Sequence, residues 1–297
     1  PTAEYHKSET YEDCMSYASR LIKESGKAVL KADTLCQGKG VFIAESLIDA
    51  EDFCKKVLIE KIFGECSMVV EEYLDGFEMS LLCFVDNNTI KPLPTVKDHK
   101  KIHDGERGRN TGGMGTYSPN SQADIYLSEI ESTVLTPFLD GIKKDALDFR
   151  GIIFIGFMIG TKGIKVLEFN TRFGDPETQT VLQRLETDLL DIMLHTSDSN
   201  LNGIDIRFND KKVITLVISS GGYPEKYETG CEITGLENVS SKVFHAGTAI
   251  KDGKPVTSGG RVISLTSCKD TFEEAFNLVY SDAKAVDFKN KYYRRDI

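Results

Sequence analysis

Apolar and polar positions fall in blocks along the chain, and the period of each block selects an element. Ala28-Val29-Leu30 and Val41-Phe42-Ile43-Ala44 are short apolar runs that predict strands, with 33–40 as the loop between them. Ser46 and Asp49 open a helix in the manner of a capping box. Ala50, Phe53, Cys54, Val57, Leu58 and Ile62 recur behind them at helical spacing. Met68 to Leu74 predicts a strand, Asp75-Gly76 its turn, and Glu78 to Val85 the return strand.

Residues 97–119 break this rhythm: they are polar, glycine-rich and poor in apolar side chains. A structureless loop of that length inside a domain is usually functional or disordered. A helical stretch over about 125–146 follows. The apolar run Ile152 to Ile159 and the strand Ile164 to Asn170 are joined by the turn 160–163, and a helix is expected over about 177–195. Asp198 to Asp210 is polar and aperiodic, which marks a domain boundary. Beyond it, Val213 to Ser219 predicts a strand, 242–250 and 260–266 a pair across Asp252-Gly253, and Asp270 and Glu273 the cap of a last helix ending near Val286. Interleaved strands and helices make the chain α/β, with a smaller α+β unit at its carboxyl end.

With 297 residues the chain is long enough for about two domains at roughly 150 residues each. Its net charge of −10 argues against a general nucleic-acid binder. No run approaches the ~20 apolar residues of a membrane span, and no secretory signal opens the sequence. Seven cysteines, at 14, 36, 54, 66, 83, 231 and 268, form no C-x-x-C pair. The odd count and irregular spacing fit separate thiols in a reducing, cytoplasmic setting. Pro1-Thr2-Ala3, with no initiator Met, reads as the start of a trimmed chain.

Neither a P-loop, nor a dinucleotide G-x-G-x-x-G, nor a zinc-ligand spacing is present. Gly38-Lys39-Gly40 would let backbone N–H groups approach a phosphate, with Lys39 and Lys31 adding charge; a mobile hairpin loop is the plainer reading. In Glu71-Glu72-Tyr73-Leu74 the two carboxylates face opposite ways along a strand, so one can point into a cleft and accept from a nucleoside; otherwise this is a polar sheet edge. Five Lys/Arg against three Asp/Glu over 97–109 make a positive island ahead of Asn110-Thr111-Gly112-Gly113-Met114-Gly115. Either it binds an anionic small substrate or it is a solvated loop. In Glu168-Phe169-Asn170-Thr171-Arg172-Phe173-Gly174-Asp175-Pro176-Glu177, Glu168 and Asn170 project from one face of a strand end as hard oxygen ligands suited to Mg²⁺. Phe169 is expected to point the other way, into a core.

Together these blocks resemble the ATP-grasp ligases. Lys31-Ala32-Asp33, Gly38 to Val41, Glu71 to Gly76, Asp98-His99-Lys100, Asn110 to Gly115 and Glu168 to Glu177 are similar to the phosphoribosylamine–glycine ligase family. So are Gly221 to Pro224, Phe244 to Thr248, Ser258 to Val262 and Tyr293 to Ile297. Three departures stand out: Cys36-Gln37 where the family has two alanines, Lys101 in place of an arginine, and Arg109 in place of a proline.

The resemblance implies an ATP-grasp domain over 1–200, with about 27–76 as a small subdomain that closes over ATP, and a carboxyl-terminal domain over 205–297. It also implies that the family's amino-terminal substrate-binding domain is absent from this chain. It implies ligation of glycine to 5-phosphoribosylamine through glycyl phosphate, with ATP as substrate and Mg²⁺ or Mn²⁺ as the metal. Lys31, Gly38, Lys39 and Gly40 would hold phosphates, Glu71, Glu72, Tyr73 and Leu74 the adenine, and Glu78 the ribose. Glu168 and Asn170 would hold the metal. Asp98, His99, Lys100, Asn110, Thr111, Gly112, Gly113, Met114 and Gly115 would bind substrate, and Arg172 and Asp175 would serve both binding and catalysis. A monomer without nucleic-acid or membrane partners is expected. Two alternatives stay open: another ATP-grasp ligase or carboxylase acting on a different acid, and a nucleotide-binding module without turnover.

Overall fold

A computed structural model describes residues 1–36 and 40–297. The chain divides into two compact units, residues 1–77 with 158–167, and residues 78–157 with 168–297.

The first unit is a four-stranded sheet covered by helices. Its strands are β1 (Tyr5–Ser8), β2 (Ala28–Ala32), β3 (Val41–Ala44) and β4 (Met68–Glu72), in the order β1-β4-β2-β3 and antiparallel throughout. Helix α1 (Tyr11–Ser25) begins at Thr10, whose hydroxyl accepts the Asp13 N–H, and ends at Gly26 in the left-handed conformation. Helix α2 (Leu47–Cys54) begins at Ser46, which accepts the Asp49 N–H as the sequence predicts, and continues as a wide π turn to Ile59. Cys14, Ala18, Leu21, Leu30, Val57, Met68 and Val70 form the core. Cys14 and Cys54 meet there, Sγ to Sγ at 3.1 Å, in contact yet both free thiols, as are the other five cysteines.

The second unit begins with β5 (Phe77–Val85). β4 and β5 do not pair as a hairpin: they belong to different sheets. β5 lies with β6 (Ile90–Pro92), β11 (Gly151–Gly160) and β12 (Gly163–Asn170) in the order β12-β11-β5-β6. The outer ends of β11 and β12 run on into the first unit, where the turn at Gly160 packs on Asp75-Gly76 so closely that a Cβ on Gly160 would stand 1.9 Å from the Asp75 carbonyl oxygen.

Residues 97–119 are not a loop. They form β7 (Lys97–Asp98), the hairpin β8 (Lys101–His103) and β9 (Arg107–Asn110), and β10 (Gly115–Ser118). β10 and β7 join β13 (Lys212–Ser220), β17 (Arg261–Lys269) and β14 (Lys242–His245) in the order β14-β17-β13-β10-β7, with β18 (Lys291–Tyr292) beside β13. The predicted pair 242–250 with 260–266 holds only over β14 and β17, because β15 (Thr248–Lys251) folds back on β16 (Lys254–Thr257).

The stretch 125–146 is helical, in pieces: Leu127–Ile130, a π turn over Glu131–Leu135, and Thr136–Lys144. The single helix expected over 177–195 is two, Glu177–Val181 and Leu189–Ser197, because Asp188 caps the second by accepting the Leu190 N–H. The last helix, Phe272–Ala285, is capped one residue later than expected, by a reciprocal box of Thr271 and Glu274. Its Ala275, Val279 and Ala283 pack with Leu216, Ile218, Ile263 and Leu265 in a core that also takes Ile297.

Candidate active site

The first unit contributes the neighbours of the glycine loop. Gly38 and Lys39 lie outside the described residues; Gly40 accepts the Ala32 N–H at 2.8 Å. Lys31 and Glu71 stand on one face of the sheet, diagonal across β2 and β4, and pair at 2.7 Å. Glu72 faces the other way, as a period of two requires: it accepts the Glu4 N–H and pairs with the Lys162 ammonium. Tyr73 lies under the Lys27 ammonium at 4.8 Å, and Leu74 is buried.

The second unit gathers the ionic groups. Lys100 Nζ stands 3.4 Å from Glu78 Oε2 and 3.9 Å from Glu168 Oε1. Burial alone would favour its neutral amine, yet Glu78, Asp98, Glu168 and Glu177 reverse this and hold the ammonium above the usual lysine range. Asp98 and Glu177 are buried, and both carboxyls are pushed up, first by burial; Glu177 adds repulsion at Asp98. Gly156 leaves room for the Glu168 side chain, since a Cβ there would stand 3.2 Å from Glu168 Cγ. Phe169 is not in the core as expected: it is 47% exposed and stacks on Phe138 at 5.3 Å.

The 110–115 segment is keyed to this cluster by its backbone. Thr111 donates to the Lys100 carbonyl from both N–H and hydroxyl, and its Oγ1 accepts the Gly113 N–H. The His99 N–H donates to the Gly115 carbonyl at 3.0 Å, and the N–H of Met114, fully buried, donates to the His99 carbonyl. Asn110 is exposed at the end of β9. Arg261 donates to the Gly112 carbonyl at 2.8 Å, to the Asp175 carbonyl at 2.7 Å and to Asp175 Oδ2 at 3.0 Å. The Gly112 N–H donates to the Tyr223 hydroxyl. A cavity of about 350 Å³ has Phe173, Asp175, Gln179, Phe244 and His245 in its wall. Arg172 is turned to solvent and donates to the Phe173 carbonyl.

The second unit thus brings together Glu78, Asp98, Lys100 and Glu168, and joins the 111–115 backbone to Asp175. Sequence reasoning gave Arg261 and Tyr223 no role, although both lie in stretches that carry the resemblance. Their contacts cross more than 80 residues, so no local pattern shows them.

Glu168 and Asn170 carry hard oxygen donors of the kind Mg²⁺ takes, and Asp98 Oδ1 is buried without a hydrogen-bond partner among the described residues. Glu78 Oε2 is met by the Lys100 ammonium at 3.4 Å, and among the described residues no three His, Cys, Asp or Glu side chains are already grouped to hold a metal ion.

Family models match over two stretches, the phosphoribosylglycinamide synthetase ATP-grasp (A) domain at residues 1–178 and the C domain of the same enzyme at 213–297. The phosphoribosylamine–glycine ligase of Caldanaerobacter subterraneus is 40% identical over all of this chain, which spans 72% of that protein. A bifunctional purine biosynthetic protein of Pichia angusta is 43% identical, and the chain spans 38% of it. The crystal structure of the Thermotoga maritima phosphoribosylamine–glycine ligase superposes with a TM-score of 0.88 at 35% identity, covering all of this chain and 74% of that one. A biotin carboxylase domain of Hydrogenobacter thermophilus, TM-score 0.67 at 15% identity, shares the fold. The family models and the shared fold define an ATP-grasp ligase, an enzyme that forms a carbon–nitrogen bond. Within that class the chain belongs to the phosphoribosylamine–glycine ligase family of purine biosynthesis. Among the described residues no helix is long and apolar enough to cross a membrane.

Proposed function

We propose that this chain ligates glycine to 5-phosphoribosylamine at the expense of ATP, releasing glycinamide ribonucleotide, ADP and phosphate. A glycine carboxylate oxygen attacks the γ-phosphorus, ADP leaves, and glycyl phosphate forms. The acceptor nitrogen then attacks the carbonyl carbon, phosphate leaves, and the nitrogen sheds a proton. Such chemistry needs positioning and charge neutralisation more than a general base. Lys31 and Lys39 hold phosphates in this reading, the Glu71–Leu74 backbone reads adenine, and Glu78 takes the ribose hydroxyls. Glu168 and Asn170 hold Mg²⁺ or Mn²⁺, which when bound neutralises phosphate charge. Lys100, kept cationic by its carboxylates, supplies fixed positive charge to the phosphoryl group. The Thr111–Gly115 backbone places glycine, and the acceptor amine is assigned to the cavity beside Asp175.

The observation that carries this reading is the Arg261 fork, which locks Gly112 and Asp175 into one substrate-orienting edge. Domain limits of 1–200 and 205–297 belong to the proposal; the family models meet the chain on either side of that boundary. Cytoplasmic placement is supported by seven free cysteines. The test is ADP release with Mg-ATP, with and without glycine and freshly generated 5-phosphoribosylamine. ADP that requires both substrates supports the ligase. ADP formed with another carboxylic acid in place of glycine, or nucleotide binding without ADP, overturns it.

A further inference from the structure

We infer that Arg294 is a positioning residue: from the end of the chain it holds the hairpin of β8 and β9, and through that hairpin Lys100 and Thr111, where the ligation needs them. The inference rests on the function proposed above.

Arg294 is fully buried, the largest such side chain among the described residues. Its guanidinium makes four bonds. Nε and an Nη2 hydrogen grip the two oxygens of Asp296 at 2.8 Å each, Nη2 also reaches Glu106 Oε1 at 2.8 Å, and Nη1 donates to the Lys101 carbonyl at 2.9 Å. One planar fork therefore spans the first strand of the hairpin, its turn and the tail. Around it, the Gly105 N–H donates to Asp296, the Arg295 N–H to Asp104, and the Tyr292 hydroxyl to the Ile102 carbonyl.

Apart from these bonds, the Arg109–Glu225 ion pair at 3.1 Å and the His103–Tyr292 contact at 3.2 Å, the hairpin buries little of itself. Arg107 to Asn110 are exposed along their whole length, and within β8 only Ile102 is buried. The tail, by contrast, is anchored without Arg294: Ile297 sits in the core and its N–H donates to the Tyr280 hydroxyl. So the Arg294 donors spent on Lys101 and Glu106 serve the hairpin, not the tail. Lys101 directly follows Lys100, whose carbonyl accepts both Thr111 bonds. A buried cation with two carboxylates is a poor source of net stability, but it sets a unique geometry that a point-charge lysine cannot reproduce.

The experiment compares wild type with Arg294→Gln, Arg294→Lys, Glu106→Gln and, as a control that loosens only the tail, Tyr280→Phe. Steady-state kinetics and amide hydrogen exchange are read on each. Arg294→Gln should raise the KM for glycine or 5-phosphoribosylamine at least tenfold and lower kcat, leave the KM for ATP within twofold, and speed exchange at Gly105 and Thr111 at least tenfold. Glu106→Gln, which keeps the Asp296 pair and hence the tail, should shift the same quantities in the same direction. Arg294→Lys should fall between, and Tyr280→Phe should lower Tm with its KM values unchanged. If Arg294→Gln and Glu106→Gln change only Tm, with KM and exchange as in wild type, Arg294 is structural and the inference is wrong. Wild type that makes no glycine-dependent ADP counts against the proposed function instead, while the exchange rates still decide whether Arg294 holds the hairpin.

Discussion

Arg261 reaches Asp175 across 86 residues of sequence, at 3.0 Å to the carboxylate and 2.7 Å to the carbonyl, while the same guanidinium holds Gly112. The pair makes the loop 111–113 and the strand exit at 175 one edge. Each charge-assisted bond of this kind contributes about 1.5–3 kcal/mol. Arg261→Ala should therefore lower kcat/KM for glycine or the acceptor by about 10- to 100-fold, with the KM for ATP unchanged. Arg261→Lys should recover little, because an ammonium cannot span both partners. Equal loss in every kinetic constant, matching a loss of folded protein, would remove Arg261 from the substrate edge.

Gly113 has φ of +112°, and a Cβ there would stand 2.6 Å from Pro176 Cδ and 2.9 Å from Asp98 Oδ1. Both the backbone angle and the space exclude a side chain. Gly113→Ala should cost about 1–3 kcal/mol of stability and displace Asp98 and Pro176 from each other. Urea unfolding and steady-state kinetics on one preparation check this. A variant with wild-type stability and kinetics would show that the loop relaxes freely.

How far the sequence reaches can be judged from individual elements. The pairs β2 with β3 and β11 with β12 were readable because each is two apolar runs close together in sequence, a local pattern. β7 to β10 were not, because they are short and mostly polar, and β10 is a strand by pairing with β7 and with β13, which lies 101 residues away in sequence at its first register position. β4 and β5 mimic a hairpin, since strand, turn and strand look alike whether or not the two strands bond. The break before Leu189 was visible in Asp188, yet an unbroken apolar period hid the cap. Glu168 and Asn170 emerged from a spacing of two. Lys100 meets Glu168 only through the tertiary fold, and the sequence showed only that each carries a charge.

His99 is buried against Tyr117, and burial, then Arg294 and Lys97, take its pKa down to about 4. Its folded pKa lies below the ordinary value near 6.5, so the unfolded chain binds more protons between those two values. The neutral ring therefore contributes stability above about pH 6.5 that is lost as pH falls through about 4. At 1.36 kcal/mol per unit this amounts to about 3 kcal/mol. Asp98 and Glu177 oppose it: their raised carboxyl pKa values favour the folded state at low pH. The comparison with His99→Asn isolates the imidazole. The stability advantage of wild type over the variant should shrink by up to about 3 kcal/mol between pH 7 and pH 4 in urea unfolding. An advantage independent of pH would show that His99 protonates freely in the folded state.

Lys31 and Glu71 form a 2.7 Å pair in which both side chains keep partial access to solvent. A pair so placed contributes about 1 kcal/mol or less to folding, which leaves Lys31 free to trade its carboxylate for a phosphate at little cost. Lys31→Ala should therefore move Tm by only a few degrees, yet weaken ATP at least tenfold and leave the KM for glycine within twofold. Glu71→Gln should do the reverse in sign: it frees the ammonium, so ATP affinity should hold or rise slightly. Calorimetric titration of both variants with a non-hydrolysable ATP analogue separates the two roles. If Lys31→Ala binds the analogue as wild type does, the lysine belongs to the sheet and not to the nucleotide, and the phosphate contacts of this unit must come from elsewhere.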